Sequence, residues 1–426
     1  MTALTTIASR GTRDRLLTVL LMATFALLPL FELRVTKTVA ASDVTLALAA
    51  LICLVGAPLG RSPRSLVPPS LLLGLGLLTV GGLFALLFAD APLDSGVLLG
   101  RVLVAAGVSL FVLLWWDPPA TAVHLLLGAF VAGATVSAGL GALSSTVLID
   151  VTERWRDTID RATGLTGNAN HLGAVTAIGI CLALGLAATT KRRVEVVGWL
   201  VAAAVLGAGL LWSGSRSGLV GVVFGMAVIG WRLWTERRRT PVLVVLLAVV
   251  GIVRIPAIDR LLLRTDTVAS TYSVESTEVR FELARQRLED AGPASLLVGS
   301  GMENRFTTGG HSGHLEIWVG TGLLGFAGWL VVCASTLAPV ATLARRPRPL
   351  DGRAAALLVV GAGFTAHMAT TLFLEHIWDR YIWLLVALVV VLRPSTGLFG
   401  VAPDDDHDDD GDGEQEDGQP RDLGAS

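Results

Sequence analysis

Charge is scarce in this 426-residue chain. Only 16% of residues are Asp, Glu, Lys or Arg, against 53% hydrophobic ones, and mean hydropathy is +0.66, far from an ordinary soluble domain. Cysteine is scarcer still. Cys53, Cys181 and Cys333 are odd in number, and each lies in an apolar run, which argues against a disulfide framework and a thiolate metal site. No Walker loop, dinucleotide fingerprint or G-x-S-x-G nucleophile elbow occurs, so these routes to nucleotide or acyl chemistry lack their sequence markers. No internal repeat is evident and nothing implies a nucleic-acid partner.

What is abundant is long apolar sequence. A bilayer core of about 30 Å takes about 20 apolar residues per helix. About twelve such windows can be laid along the chain, centred near Leu20, Leu48, Leu77, Ala105, Phe130, Ile178, Ala203, Phe224, Leu246, Leu324, Val360 and Val386. The pattern predicts an all-α polytopic membrane protein of about 12 transmembrane helices over residues 1–403. The first window is too long, and too soon followed by a second, for a cleaved leader.

Positive residues fall between alternate windows. Arg10, Arg13 and Arg15 precede the first, Arg61 and Arg64 follow the second, and Lys191 to Arg193 follow the sixth. Arg232 and Arg237 to Arg239 follow the eighth, and Arg345, Arg346, Arg348 and Arg353 follow the tenth. With both termini cytoplasmic, every cluster lies inside. The turn from Trp116 to Ala120 has no positive residue and is neutral on this point. Residues 404–426 hold 11 acids and one arginine, a self-repelling composition that predicts a disordered acidic cytoplasmic tail.

Two outward connections are long, 143–166 and 255–312, the latter a large loop between helices nine and ten. Within it, Ser276 can cap a helix that Gly292-Pro293 stops, lying near the outer membrane surface. Arg280 and Arg287, seven apart, share one face of that helix, where pairing with Glu282, Glu289 and Asp290 is the simple expectation.

This topology sends most unusual polar residues to the outer face: Glu32, Arg34, Asp43, Arg101, Asn168, Asn170, His171, Arg216, Arg280, His311, His314, and the Glu375, His376, Asp379, Arg380 group. Ionisable groups at membrane depth are costly and usually functional. Several have plain structural readings too. Asn168 and Asn170 suit a helix cap, Arg216 suits an interfacial anchor, and Arg101 suits an ion pair with Asp43 as well as a phosphate contact. The Ser213-Gly214-Ser215-Arg216-Ser217-Gly218 turn sets backbone amides beside a guanidinium, which can hold phosphate oxygens. His311 and His314 near Glu316 lack the spacing of a known metal motif. A neutral histidine instead suits a general base, His311 or, in competition, His376. Gly322, Gly325 and Gly328 recur every three residues, as in close helix packing.

Taken in order, these motifs resemble the O-antigen ligase and O-antigen polymerase superfamily of bacterial membrane glycosyltransferases. The ligase-type signature reads here His311, Ser312, nine residues, Gly322, Gly325, Gly328. Arg161 to Asn170 looks like the Arg…Gly…Asn-Pro-Asn segment, with Ala169 in place of proline. Ser215-Arg216-Ser217-Gly218 is similar to the Ser-Arg-Gly turn. Arg280 with Gly299-Ser300-Gly301 resembles the loop arginine and Gly-x-Gly, with Leu283 three rather than four residues on.

The resemblance implies a GT-C-like enzyme of the bacterial inner membrane with an extracytoplasmic site. It would move a glycan, with inversion and without a metal or other cofactor, from an undecaprenyl-diphosphate carrier to a lipid, glycan or protein acceptor. His311 would be the base, and Arg216 and Arg280 would stabilise the leaving diphosphate. Arg101, Asn168, Asn170, His314 and Arg305 would bind substrate. A polysaccharide polymerase of the same superfamily is the near alternative, and a transporter or flippase of lipid-linked sugars the distant one.

Overall fold

The computed structural model describes residues 11–36, 39–55, 67–145, 161–235, 269–302, 312–345, 350–374 and 379–393, with the side chains of 145, 233–235 and 269–281 excepted. Among them the chain is helical: α1 Thr12–Leu27, α2 Ala41–Val55, α3 Pro69–Ala85, α4 Pro92–Trp116, α5 Ala120–Ser145, α6 Ala169–Thr189, α7 Arg193–Ser213, α8 Arg216–Thr235, α9 Ala269–Val298, α10 Gly313–Arg345, α11 Gly352–Thr370 and α12 Arg380–Leu392. Short 3₁₀ turns cover Leu86–Phe88 and Gly164–Thr166. The expected acidic tail, 404–426, lies outside the described residues.

Among the described residues, seven helices are long and apolar enough to cross a membrane: α3 with its 3₁₀ turn, α4, α5, α6, α7, α10 and α11. α2 and α12 are shorter apolar helices. Among the described residues the protein is all-helical, with the long apolar helices of a polytopic membrane protein. Every expected span centre but one falls within a described helix, and the exception, Leu246, lies outside the described residues.

α6, α11 and α12 form the centre. Tyr381 to Leu392 are all buried, as are Ala355 to Phe364, so these stretches meet other helices on every side. α6 packs on α7, α8 and α11, α8 on α11, and α12 on α4. α3 and α7 lie outside, showing Leu72, Leu73, Val80 and Leu83, and Val194, Val197, Leu200 and Val201, a surface suited to hydrocarbon.

α10 is two helices joined at Gly322, whose φ of 68° and ψ of −174° break the helix. A Cβ there would meet Leu297 O at 2.5 Å, at the end of α9. Beyond this break, α10 packs on α3 more closely than any side chain allows. A Cβ on Gly328 would come 2.6 Å from Gly74 O, and one on Gly81 would come 2.6 Å from Gly325 Cα. The three signature glycines thus differ in role: Gly322 turns the chain, Gly328 with Gly74 and Gly81 of α3 lets two backbones touch, and Gly325 leaves room for Thr321 of its own helix.

α9 departs from the expectation in two ways. It starts at Ala269, before the expected cap at Ser276, and it resumes after Gly292 to reach Val298. Gly292 (φ 66°, ψ 167°) breaks the helix as expected, but Pro293 needs no amide partner in the first turn of a new helix, so the chain restarts there.

Candidate functional site

The two ends of the bundle differ in chemistry. At one end, Arg353 donates to Asp117 Oδ1 at 3.3 Å and to Val391 O, tying the start of α11 to the α4–α5 turn and the end of α12. The Trp116–Ala120 turn, neutral on charge alone, therefore joins an arginine-bearing end through its neighbour.

The opposite end is built from helix starts and tight turns. Asn168 sits in extended geometry before α6, and its Oδ1 accepts from Asn170 N–H at 2.8 Å and His171 N–H at 3.3 Å. This is the cap expected for it. Asn170 accepts at its side-chain oxygen from Arg161 Nη2 at 2.8 Å. Arg161 also donates through Nε to Ser213 O at 2.7 Å, the last residue of α7. Beside it, Ala162 N–H donates to Trp212 O at 3.1 Å.

The α7–α8 turn follows from its small residues. Gly214 takes left-handed geometry (φ 60°, ψ 24°) to end α7. Ser213 Oγ accepts from Ser215 N–H at 3.2 Å, and Ser215 Oγ accepts from Gly218 N–H at 3.3 Å, which caps α8. Gly173 of α6 lets Ser215 press against its backbone, and Gly218 lies against Gly173 O. Arg216 is thereby presented, exposed, as the first residue of α8, where the helix dipole favours an anion.

The start of α10 is tied to the end of α11. Gly313 N–H donates to Thr371 O and Leu374 O at 2.9 and 3.0 Å. Trp329 Nε1 donates to His314 Nδ1 at 3.0 Å, so the other ring nitrogen carries the proton. That nitrogen lies 3.0 Å from Thr371 Oγ1 and 3.3 Å from Met368 O. Both nitrogens of His314 thus meet protein partners.

A third group surrounds the start of α12. Arg380 pairs with Asp43, whose other oxygen accepts from Ala40 N–H at 2.9 Å. Arg101, expected as a partner for Asp43, is exposed on α4. The closer guanidinium on α12 has the pair instead. Tyr381 donates to Asp379 Oδ2 at 2.6 Å, and its ring meets His367 edge-on at 4.9 Å and Phe31 at 6.2 Å. Burial pushes the Asp379 carboxyl above the usual carboxylate range, with His171, the Tyr381 hydrogen bond and Arg380 opposing it.

α9 runs beside α10. Arg287 reaches Glu316 at 3.8 Å, both largely buried, and Trp318 Nε1 donates to Leu296 O at 3.1 Å. Arg285, not Arg287, pairs with Glu289. The expected intrahelical partners of Arg287 give way because its face is turned to α10 rather than to water. Arg280 lies on α9 two turns before Arg287, on the same stripe. Its side chain, together with His311, Arg305, Glu375 and His376, lies outside the described residues.

The described structure therefore gathers Asn168, Asn170 and Arg216 through Arg161, and sets His314 and the signature glycines between α3 and α11. Arg161 was missed as a site residue, although the sequence places it nine residues before Asn170. Tyr381 and His367 carry no motif at all. Among the described residues, no three of His, Cys, Asp and Glu come together in a way that could hold a metal ion. Comparison with protein-family models and with curated proteins finds no match to this chain.

Proposed function

We propose that this protein transfers a glycan from an undecaprenyl-diphosphate carrier to an acceptor hydroxyl, at the polar end of the helical bundle. The observation that carries the proposal is the Arg216 turn. An exposed guanidinium stands at the amino end of α8, braced by Arg161 against the capped start of α6. That junction suits an anionic diphosphate.

In this reading the chain has twelve spans with both termini in the cytoplasm of a bacterium, which places the polar end outside the inner membrane. The acceptor oxygen attacks the anomeric carbon while His311 takes its proton. The bond from that carbon to the phosphate oxygen breaks, and the configuration inverts. Undecaprenyl diphosphate leaves with its new charge held by Arg216 and Arg280. Arg101, Asn168, Asn170 and Arg305 are proposed to contact the glycan or its phosphates. His314, with both nitrogens turned to Trp329, Thr371 and Met368, fits a role in fixing the start of α10 behind His311. The grouping of polar side chains at a bundle end, rather than at mid-membrane in two related halves, supports transfer over transport.

The test is purified protein in lipid with an undecaprenyl-diphosphate oligosaccharide and a panel of lipid, glycan and peptide acceptors. The parent is expected to form product, and Arg216→Ala and His311→Ala to lose at least about 100-fold in rate. A second carrier-linked glycan as the only productive acceptor would make the protein a polymerase. Movement of donor across a sealed vesicle without transfer would make it a transporter.

A further inference from the structure

Three segments meet where α6, α7 and α8 come together. Arg161 and Ala162 bond to Ser213 O and Trp212 O in the last turn of α7, and the first turn of α6 lies against Ser215 and Gly218. Most of these contacts are backbone-to-backbone or small-residue packing, indifferent to charge. One side chain is different in kind. The Arg161 guanidinium donates from Nε to a carbonyl in the turn that delivers Arg216, and from Nη2 to Asn170 on α6. It is half-buried, and its head lies 3.5 Å from the position a Cβ would take on Gly214.

The fork matters because of what it spans. Ser213 O belongs to a helix end, where carbonyls have no intrahelical donor, and Gly214 after it is in the left-handed region, with the soft backbone that glycine brings. Without the guanidinium at Ser213 O, the turn loses its charge-assisted bond and keeps neutral ones, among them the serine bonds of 3.2 and 3.3 Å. A planar guanidinium with donors in fixed directions sets both the distance and the angle between the end of α7 and the start of α6; an ammonium cannot.

We propose that Arg161 is the positioning residue of the Arg216 turn: it locks the start of α8 to the start of α6, so that Arg216 and Asn170 present one preformed surface to the donor diphosphate. The functional part of this inference rests on the glycan-transfer reading; the mechanical part does not.

Two measurements on the full-length protein in lipid test it. The first is amide hydrogen exchange of Arg161→Gln. Amides of residues 214–219 should exchange about tenfold faster, consistent with the loss of charge-assisted bonds, while those of α11 remain at parent rates. Should Arg161→Gln fail to fold, Asn170→Ala, which removes one arm of the fork, must show the same local effect in smaller degree. The second is transfer rate in a double-mutant cycle. Arg161→Gln alone should lower kcat about tenfold or more, with little change in acceptor KM. In the Arg216→Ala background it should cost nothing further, because both act through one guanidinium. Arg161→Lys should fail to restore kcat.

Unchanged exchange at 214–219 overturns the proposal, as does a loss that multiplies with that of Arg216→Ala. A parent protein that transfers nothing refutes the glycan-transfer reading, while the exchange result still decides whether Arg161 holds the turn.

Discussion

The α3–α10 seam and the α6–α8 junction fix helices by opposite means. At the seam, the decisive feature is what is missing: Gly74, Gly81 and Gly328 let two backbones meet with no room for a Cβ. At the junction, the decisive feature is one side chain with several donors, Arg161, spanning turns that glycine and serine leave soft. Packing of the first kind tolerates lost polarity but no added volume. The second tolerates small changes of volume but not the loss of a donor. A membrane enzyme of the proposed type needs both, a rigid wall and a polar surface of defined geometry.

The comparison breaks most sharply with Gly328→Leu. The added side chain meets Leu78 and Gly74 backbone, which cannot give way cheaply, so a loss of about 3 kcal/mol or more is expected, seen as failure to fold or a collapse of the thermal transition in detergent. Gly76→Ala, on the partner helix α3 with nothing within 4 Å of its Cβ, should be neutral or stabilise by about 0.5 to 1 kcal/mol. Equal effects of the two would show that the seam is not tight.

Removing a donor comes next in size. Trp329→Phe keeps most of the ring volume but leaves His314 Nδ1 without its indole partner, at a cost of about 1–3 kcal/mol in thermal stability. A variant as stable as the parent would mean that the histidine is not held by that bond.

The pH dependence of stability is smaller and has a definite sign. Burial raises the Asp379 carboxyl in the folded state, so the folded form keeps a proton that the unfolded form releases. Its contribution is therefore greatest at and below the ordinary carboxylate range, and is lost as pH rises from there through the folded-state value. Asp379→Asn should flatten that slope in melting temperature measured from acid to neutral pH. An unchanged slope would assign it to other groups. The smallest effect belongs to the exposed Arg192–Glu195 pair: Glu195→Gln should shift stability by about 0.5 kcal/mol or less, and that shift should vanish in high salt.

The bundle was legible in the sequence because a hydrocarbon core imposes a length on apolar runs, so Leu20, Ile178 or Val386 could be placed on helices from composition alone. Caps were legible for a related reason. Asn168 accepts the amides of its own helix start, a partnership two and three residues long. What stayed hidden were long-range choices among equivalent partners. Asp43 had two arginines within reach of argument and took Arg380, more than 300 residues away. Arg287 had Glu282, Glu289 and Asp290 as expected partners on its own helix and took Glu316 across an interface. Arg161 stood in a recognised segment, yet nothing local says that its second partner is Ser213, 52 residues on. Spacing along a chain reports neighbours on one helix, whereas these pairs depend on how helices dock.

A single transfer assay decides whether Arg216 serves glycan transfer: parent and Arg216→Ala protein in lipid, each with the same undecaprenyl-diphosphate oligosaccharide and acceptor panel. The account predicts glycosylated acceptor from the parent and a loss of at least about 100-fold in the variant, with the fold intact. Product formed by both at equal rates, or by neither, would contradict it.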